Sequence, residues 1–246
     1  MFHIFSKKKF LVDYLQNFVD IHNHILPGID DGAKNVQESV ELIRGFKELG
    51  ITNLVATPHI MNNYYPNTKE TITNSLGLLI NELLANDLKD ISIEAAAEHM
   101  IDDNFEEILE RGEVMPMRKN YLLVEMSYLQ QSINFDDASQ NVMKKGFFPI
   151  LAHPERYGYW HSNKVNYPKY KKKGVQYQLN ILSLSDYYGP EVHKMALNLL
   201  DQGLIDYIAT DIHRREQIEF LKEIKINFNV SESIIPLINN TIAKFY

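Results

Sequence analysis

The stretch VDIHNHILPGIDDG, residues 19–32, decides how the rest of the chain is read. Side chains i and i+2 of a strand share a face, so His22 and His24 point the same way. Pro27 and Gly28 then bend the chain, and Asp30 and Asp31 follow the bend. This is either an ordinary strand and turn or the first corner of a catalytic site. The neighbouring runs decide between the two.

The first run, FVDIHNH from residue 18, is followed by six more. They are ITNLVATPH from 51, ISIEAAAEHM from 91, YLLVEMSYL from 121, FFPILAHPERY from 147, VQYQLNILSLS from 175 and IDYIATDIH from 205. Several are nearly continuous in apolar residues, as strands covered on both faces by helices are. Between the first two, Val36, Val40, Ile43 and Leu49 share a helical face, with Asn35 as N-cap and Gly50 as the stop. Helical patterns also cover residues 69–88, 136–145 and 190–202, the last two ending at Gly146 and Gly203. Strand, helix, glycine, strand in repetition predicts βαβ units and a parallel sheet. Seven such runs without a GxGxxG or a P-loop favour an α/β barrel over an open nucleotide-binding sheet. Residues 1–17 read as an N-terminal extension and 18–246 as a single barrel domain. The C-terminal SESIIPLINNTIAKFY reads as a capped apolar helix that either seals the barrel or lies in a subunit interface.

Nearly every run ends in a side chain able to bind a metal. In order these are His22 and His24, His59, Glu98, Glu125, His153, and finally Asp211 with His213. In a barrel the C-terminal strand ends converge on one face, so residues remote in sequence meet there. A lone histidine is more often a satisfied core residue than a ligand, and a lone glutamate often pairs with a buried arginine. Repetition at strand after strand, always at the same end, is what points to metal. His3, His161 and His193 fall outside the pattern, and His99, next to Glu98, is expected to face away. A ligand set of imidazole and carboxylate fits manganese, iron, zinc or magnesium, and its size implies two or three ions.

Composition narrows the chemistry further. The 246 residues suit one barrel, and a hydrophobic content of 45% supplies its core. A net charge of -7 argues against nucleic acid or an anionic membrane as a general partner. The chain has no cysteine, which excludes disulfides, thiolate-bound metals and hydrolysis through a cysteinyl-phosphate. No run reaches the ~18 apolar residues of a membrane span. The N-terminal lysines follow a very short apolar tip, the reverse of a signal peptide, so the chain is read as cytoplasmic and not membrane-inserted. That tip is either a solvated tail or a weak basic-aromatic contact.

DIHNHILPGIDDG, TPH, AEHM, HPERY and TDIH together resemble the bacterial PHP-type (polymerase and histidinol phosphatase) protein-tyrosine phosphatases of capsule and exopolysaccharide loci, the CpsB/CapC family. The likeness runs from about Val19 to about His213. It implies a distorted TIM-like (β/α)7 barrel, the PHP fold, with three divalent ions, often manganese, iron and zinc being alternatives. By motif, His22, His24, Glu98 and Asp211 would hold the first ion. Glu98, Glu125 and His153 would hold the second, and Asp31, His59 and His213 the third. Arg156, Asp211 and His213 would be catalytic. Arg156 would grip phosphate oxygens with its planar fork of donors, or else form a salt bridge to a ligand carboxylate. Arg214 or Arg215 would offer a second grip. Tyr157, with Tyr64, Tyr65, Tyr159 and Trp160, would flank a phenyl ring or else pack loops onto the rim.

The reaction implied is hydrolysis of phosphotyrosine by metal-activated hydroxide. A phenolate leaving group, with pKa near ~10, needs no dedicated general acid. The substrate implied is the tyrosine-rich tail of a membrane-associated bacterial tyrosine kinase; oligomeric state stays unassigned. A PHP enzyme for small esters such as histidinol phosphate would use the same metals. A metal-dependent nuclease or amidohydrolase shares His-x-His, but here the closing motif is Asp-x-His and a strand-end lysine is lacking. A non-catalytic scaffold would not need the full ligand set.

Overall fold

The computed structural model describes residues 9–246, so the expected tip and His3 lie outside the described residues. Its elements in chain order begin with β1 (Lys9–Phe10), β2 (Val19–Asp20), α1 (Val36–Glu48), β3 (Asn53–Ala56) and β4 (His59–Ile60). Next come α2 (Lys69–Ala85), β5 (Ser92–Ala95), β6 (Glu98–Met100), α3 (Phe105–Glu110), β7 (Tyr121–Glu125) and α4 (Phe135–Lys144). The chain continues with β8 (Phe148–Ala152), α5 (Gly158–His161), α6 (Asn166–Lys172), β9 (Gln176–Asn180), α7 (Pro190–Asp201) and β10 (Tyr207–Ala209). It ends with α8 (Arg215–Glu223), β11 (Lys225–Ile226) and α9 (Phe228–Phe245).

Among the described residues, seven strand paths run parallel around a closed circuit. The second and third paths are each broken: β3 and β4 flank Thr57–Pro58, and β5 and β6 flank Ala96–Ala97. Hydrogen bonding therefore falls into β2-β3-β5 and β4-β6-β7-β8-β9-β10. Pro58 has no amide hydrogen for a ladder, which accounts for the break in the second path. The seam between first and last paths is closed by an Asn23–Ile212 bridge, the Asp211 amide donating to His22 O and the His24 amide to Ile212 O. The chain is thus an α/β barrel of seven paths, as expected.

Two apolar layers hold it together. Inside the barrel lie Val19, Ile21, Val55, Leu123, Ile150 and Ala209 among others. Outside, the strands' other faces pack under the helices, where Ile43, Phe46, Leu79, Phe135 and Leu199 are buried. α9 seals the bottom, since Phe245 joins the interior layer with its ring 5.3 Å from that of Tyr121 and 5.2 Å from that of Tyr207. Of the two expected roles for this helix, the structure shows the seal. The described part of the expected extension packs on the body: β1 pairs antiparallel with β11, and Leu11 and Leu15 are buried. α1 is capped by the Asn35 side chain, which accepts from the Glu38 amide, and is followed by Gly50 at φ 75°.

Candidate active site

The β2 path carries the first two histidines to the top of the barrel, and each is oriented by a hydrogen bond on its far side. His22 Nδ1 donates to Gln178 Oε1 at 2.8 Å, and His24 Nδ1 donates to Asp30 Oδ2 at 2.7 Å. At the last path, His213 Nδ1 donates to Asp211 O at 2.9 Å. Each of these bonds places a ring proton on Nδ1 and turns Nε2 into the pocket, where a cation can take the place of its proton, which is the arrangement of a metal-ligating histidine. His99 is the contrast: its Nδ1 donates to Leu123 O and its Nε2 accepts from the Met115 amide. Burial pushes His99 down to about 4, so it stays neutral and serves the core. As expected, it faces away.

The inward-facing ring nitrogens converge on carboxylates. His22 Nε2 lies 3.1 Å from Glu98 Oε2 and 3.3 Å from Asp211 Oδ1, and His24 Nε2 lies 3.5 and 3.4 Å from the same two atoms. His153 Nε2 is 3.1 Å from Glu98 Oε1 and 3.9 Å from Glu125 Oε2. His59 straddles two groups, with Nδ1 2.9 Å from Glu125 Oε1 and Nε2 3.4 Å from Asp31 Oδ1. Asp31 Oδ1 is also 3.4 Å from His213 Nε2.

Four overlapping sets result, each with its ligand atoms within 4.8 Å of one another: His24, Asp31, His59 and His213; His22, His24 and Asp211; His22, Glu98 and His153; and His59, Glu98 and Glu125. All nine predicted ligands meet, but Glu125 groups with His59 where the motif reading paired it with His153.

The donor set fits divalent cations. Glu98, Glu125 and Asp211 are buried carboxylates. Although His59 Nδ1 lies 3.2 Å from Glu98 Oε2 and 2.9 Å from Glu125 Oε1, these three atoms make no well-aligned hydrogen bond among the described residues. Buried charge without compensation costs several kcal/mol, and a cation removes that cost. The electrostatics agree. Burial opposes charge on His24, yet Asp30, Asp211 and Glu98 hold its imidazole well above the ordinary range. Burial likewise opposes ionisation of Asp211, but His22, His24, His213 and Arg156 hold it well below the usual carboxylate range. The pocket demands positive charge.

Local chain geometry explains the DDG sequence. A Cβ at Gly32 would lie 2.0 Å from His24 O, so only glycine lets the turn close over that histidine. Asp30 then orients His24 from behind, and Asp31 reaches the cleft. His153 at φ 34° and Asp211 at φ 53° both occupy left-handed backbone, rare for such residues and concentrated at functional sites.

Arg156 leans over the pocket. Its Nη1 donates to Asp211 Oδ2 at 2.7 Å, and its guanidinium lies between the rings of Tyr128, 4.6 Å away, and Tyr188, 4.1 Å away. The salt-bridge alternative is thus present, while the fork's position in the cleft wall is kept. Three expected substrate contacts sit elsewhere. Tyr157 is fully buried, its hydroxyl accepting from the Met126 amide and donating to Ala152 O, so it does not reach the cleft. Arg215 is tied to Glu48 and Glu219 and donates to Glu41 O on α1. Arg214 borders a second concavity, lined also by Lys34 and Glu38, which meets the cleft at His213. Trp160 is buried too, whereas Tyr64 and Tyr65 line the cleft, and the Tyr65 ring stacks 5.5 Å from that of His59.

Sequence reasoning missed Tyr128, whose hydroxyl is 3.2 Å from His153 Nε2, as well as Tyr188, Gln178 and Asn180. Asn180 Nδ2 donates to Asp211 Oδ2 at 2.9 Å. A signal for the two amides was available: Gln178 and Asn180 continue an i, i+2 alternation of amides that begins at Gln176 in β9. The two tyrosines come from loops and carry no such signature.

Imidazoles and carboxylates gathered at the C-terminal ends of parallel barrel strands define a metal-dependent barrel hydrolase. The chain belongs to the CpsB/CapC family of capsular polysaccharide synthesis, whose model matches residues 18–220. It is 28% identical over 196 residues to the tyrosine-protein phosphatase YwqE of Bacillus subtilis, covering 79% of this chain and 77% of that one. It is 30% identical to the putative tyrosine-protein phosphatase CapC of Staphylococcus aureus, covering 79% and 76%. A crystal structure from work on YwqE of Bacillus subtilis and CpsB of Streptococcus pneumoniae, described as unique metal-dependent tyrosine phosphatases, superposes with a TM-score of 0.80. That match is 25% identical and covers 92% of this chain and 94% of the other. No helix of the described residues is long and apolar enough to cross a membrane.

Proposed function

We propose that this chain is a metal-dependent protein-tyrosine phosphatase with the metal ligands and Arg156 as its working residues. One observation carries the reading: imidazole nitrogens from four strand ends surround buried carboxylates beside an arginine fork. His22, His24, Glu98 and Asp211 would hold one ion, Glu98 and Glu125 with His153 and His59 a second, and Asp31, His59 and His213 a third, manganese being the first candidate. When bound, these ions would activate water and neutralise charge on the phosphoryl group.

The chain's own residues do the rest. Arg156 offers its remaining N–H donors to phosphate oxygens while Asp211 and the two tyrosine rings hold its plane. Gln178 and Asp30 keep His22 and His24 in the ligating tautomer. A phenolate leaving group makes a separate proton donor unnecessary, although the Tyr128 hydroxyl stands at the pocket edge. The substrate protein is a bacterial tyrosine kinase of capsule or exopolysaccharide synthesis, met in the cytoplasm, and residues 18–246 act as one domain. The test is elemental analysis of the purified protein paired with turnover of a phosphotyrosyl peptide and of histidinol phosphate under manganese, zinc and iron. Bound metal with peptide turnover is expected; metal-loaded protein that cleaves neither peptide nor an aryl phosphate would overturn the reading.

A further inference from the structure

The cleft over the metal ligands has a volume of about 830 Å³ and continues well past them. Its floor beyond the ligands is apolar, formed by Met61, Met100 and Ile101, and its far wall is the loop joining β7 to α4. Two aliphatic side chains of that loop stand almost free in solvent, Leu129 at 92% and Ile133 at 98% exposure. Loose packing does not explain them. Between them Gln131 accepts from Trp160 Nε1 at 2.8 Å and donates to the Tyr170 hydroxyl at 2.9 Å, and Ser132 Oγ donates to Ile101 O at 2.7 Å. A loop pinned from inside thus presents apolar groups outward, beside a cleft; such groups mark contact surfaces when they border a binding groove.

At the same end lie Asp102 and Asp103. Their carboxylates accept from the Asn62 and Asn104 amides and from Asn62 Nδ2, and neither has a cationic partner among the described residues. The concavity therefore passes from a cation-seeking centre, over an apolar floor, to an acidic end.

We propose that this rim docks the peptide around the phosphotyrosine and selects a segment with an apolar side chain beside it and a basic one beyond. The inference rests on the phosphatase reading above and names the substrate segment that site takes. Continuity of rim and metal centre in one cleft fits an extended peptide, and a small phosphate ester would leave most of the cleft empty.

The test compares wild type with the double variant Leu129→Ser, Ile133→Ser on four substrates, all with bound metal. These are p-nitrophenyl phosphate, a phosphotyrosyl peptide with a flanking Leu and a distal Lys, its Leu→Ser twin and its Lys→Glu twin. In the wild type the first peptide is expected to exceed each twin in kcat/KM by about tenfold, the scale of partly burying one aliphatic group. In the double variant the Leu advantage disappears while p-nitrophenyl phosphate turnover persists, which also controls for folding. Intact aryl-phosphate turnover with the same Leu advantage in both proteins would overturn the docking surface alone. Equal rates for the Lys and Glu peptides would overturn the basic preference. Sedimentation showing a dimer that the double variant abolishes, with peptide rates unchanged, would assign the rim to a second copy instead. Wild type inactive on all four substrates would overturn the phosphatase reading itself.

Discussion

Arg156 shows what a single side chain contributes here. Its charge sits against Asp211, and its plane is fixed between two tyrosine rings. Lysine keeps the charge but loses the fork. Arg156→Lys is therefore expected to lower kcat/KM for an aryl phosphate by about 100-fold with metal content unchanged. Metal analysis beside kinetics checks this, because equal loss of metal and activity would make Arg156 only a partner of Asp211. His99 yields a pH prediction. Its folded value is about 4 against an ordinary 6.5, so the unfolded chain binds its proton first as pH falls. The stability it contributes is full above 6.5 and lost as pH drops towards 4. Urea titrations of wild type and His99→Gln should show the wild-type advantage shrinking by about 2 kcal/mol between pH 8 and pH 5.

The elements divide into those the sequence made legible and those it did not. Runs such as YLLVE and FPILA appear as unbroken strands because buried parallel strands need continuous apolar residues. The breaks at Thr57–Pro58 and Ala96–Ala97 split two expected strands: Pro58 marks the first in the sequence, whereas the second carries no local signal because registry is decided by neighbouring strands. Strand-end ligands were legible because i, i+2 spacing is local. The Tyr128–Arg156–Tyr188 stack was not, because it joins three loops, and Tyr157 was misplaced because a motif does not reveal which side of the strand end is covered. The turn after β2 was half legible: the bend was plain, but the reason for Gly32 lay in its approach to His24. Gly32→Ala should push Asp30 and Asp31 outward and weaken metal affinity about 10- to 100-fold, measured against a competing chelator. Gly77→Ala in α2, where a Cβ meets nothing within 4 Å, is the control and should stabilise by about 0.5–1 kcal/mol.

At the scale of the molecule, the barrel brings several buried carboxylates to one end and seals the other with α9. Stability and metal content should therefore move together. Stripping metal with a chelator is expected to lower Tm by about 10 °C, and adding manganese back to restore it, as saturating ligand contributes about 4 kcal/mol at 1,000 times its Kd. Calorimetry of the two forms measures this; an unchanged Tm would mean that the ions contribute nothing to folding.

The seam that closes the barrel also sets an order of events. Asp20 accepts from the Thr210 amide at 2.8 Å and from its hydroxyl at 2.7 Å, a contact spanning 190 positions. His22 and Asp211, each next to or near that contact, belong to the same ligand set. A chain leaving the ribosome at about 5–20 residues per second presents its first histidines some ten to forty seconds before their partners exist. During that interval the ligand set of His22, His24 and Asp211 stays incomplete, so a chain terminated before Asp211 would lack that set even with His22, Glu98 and His153 already in place.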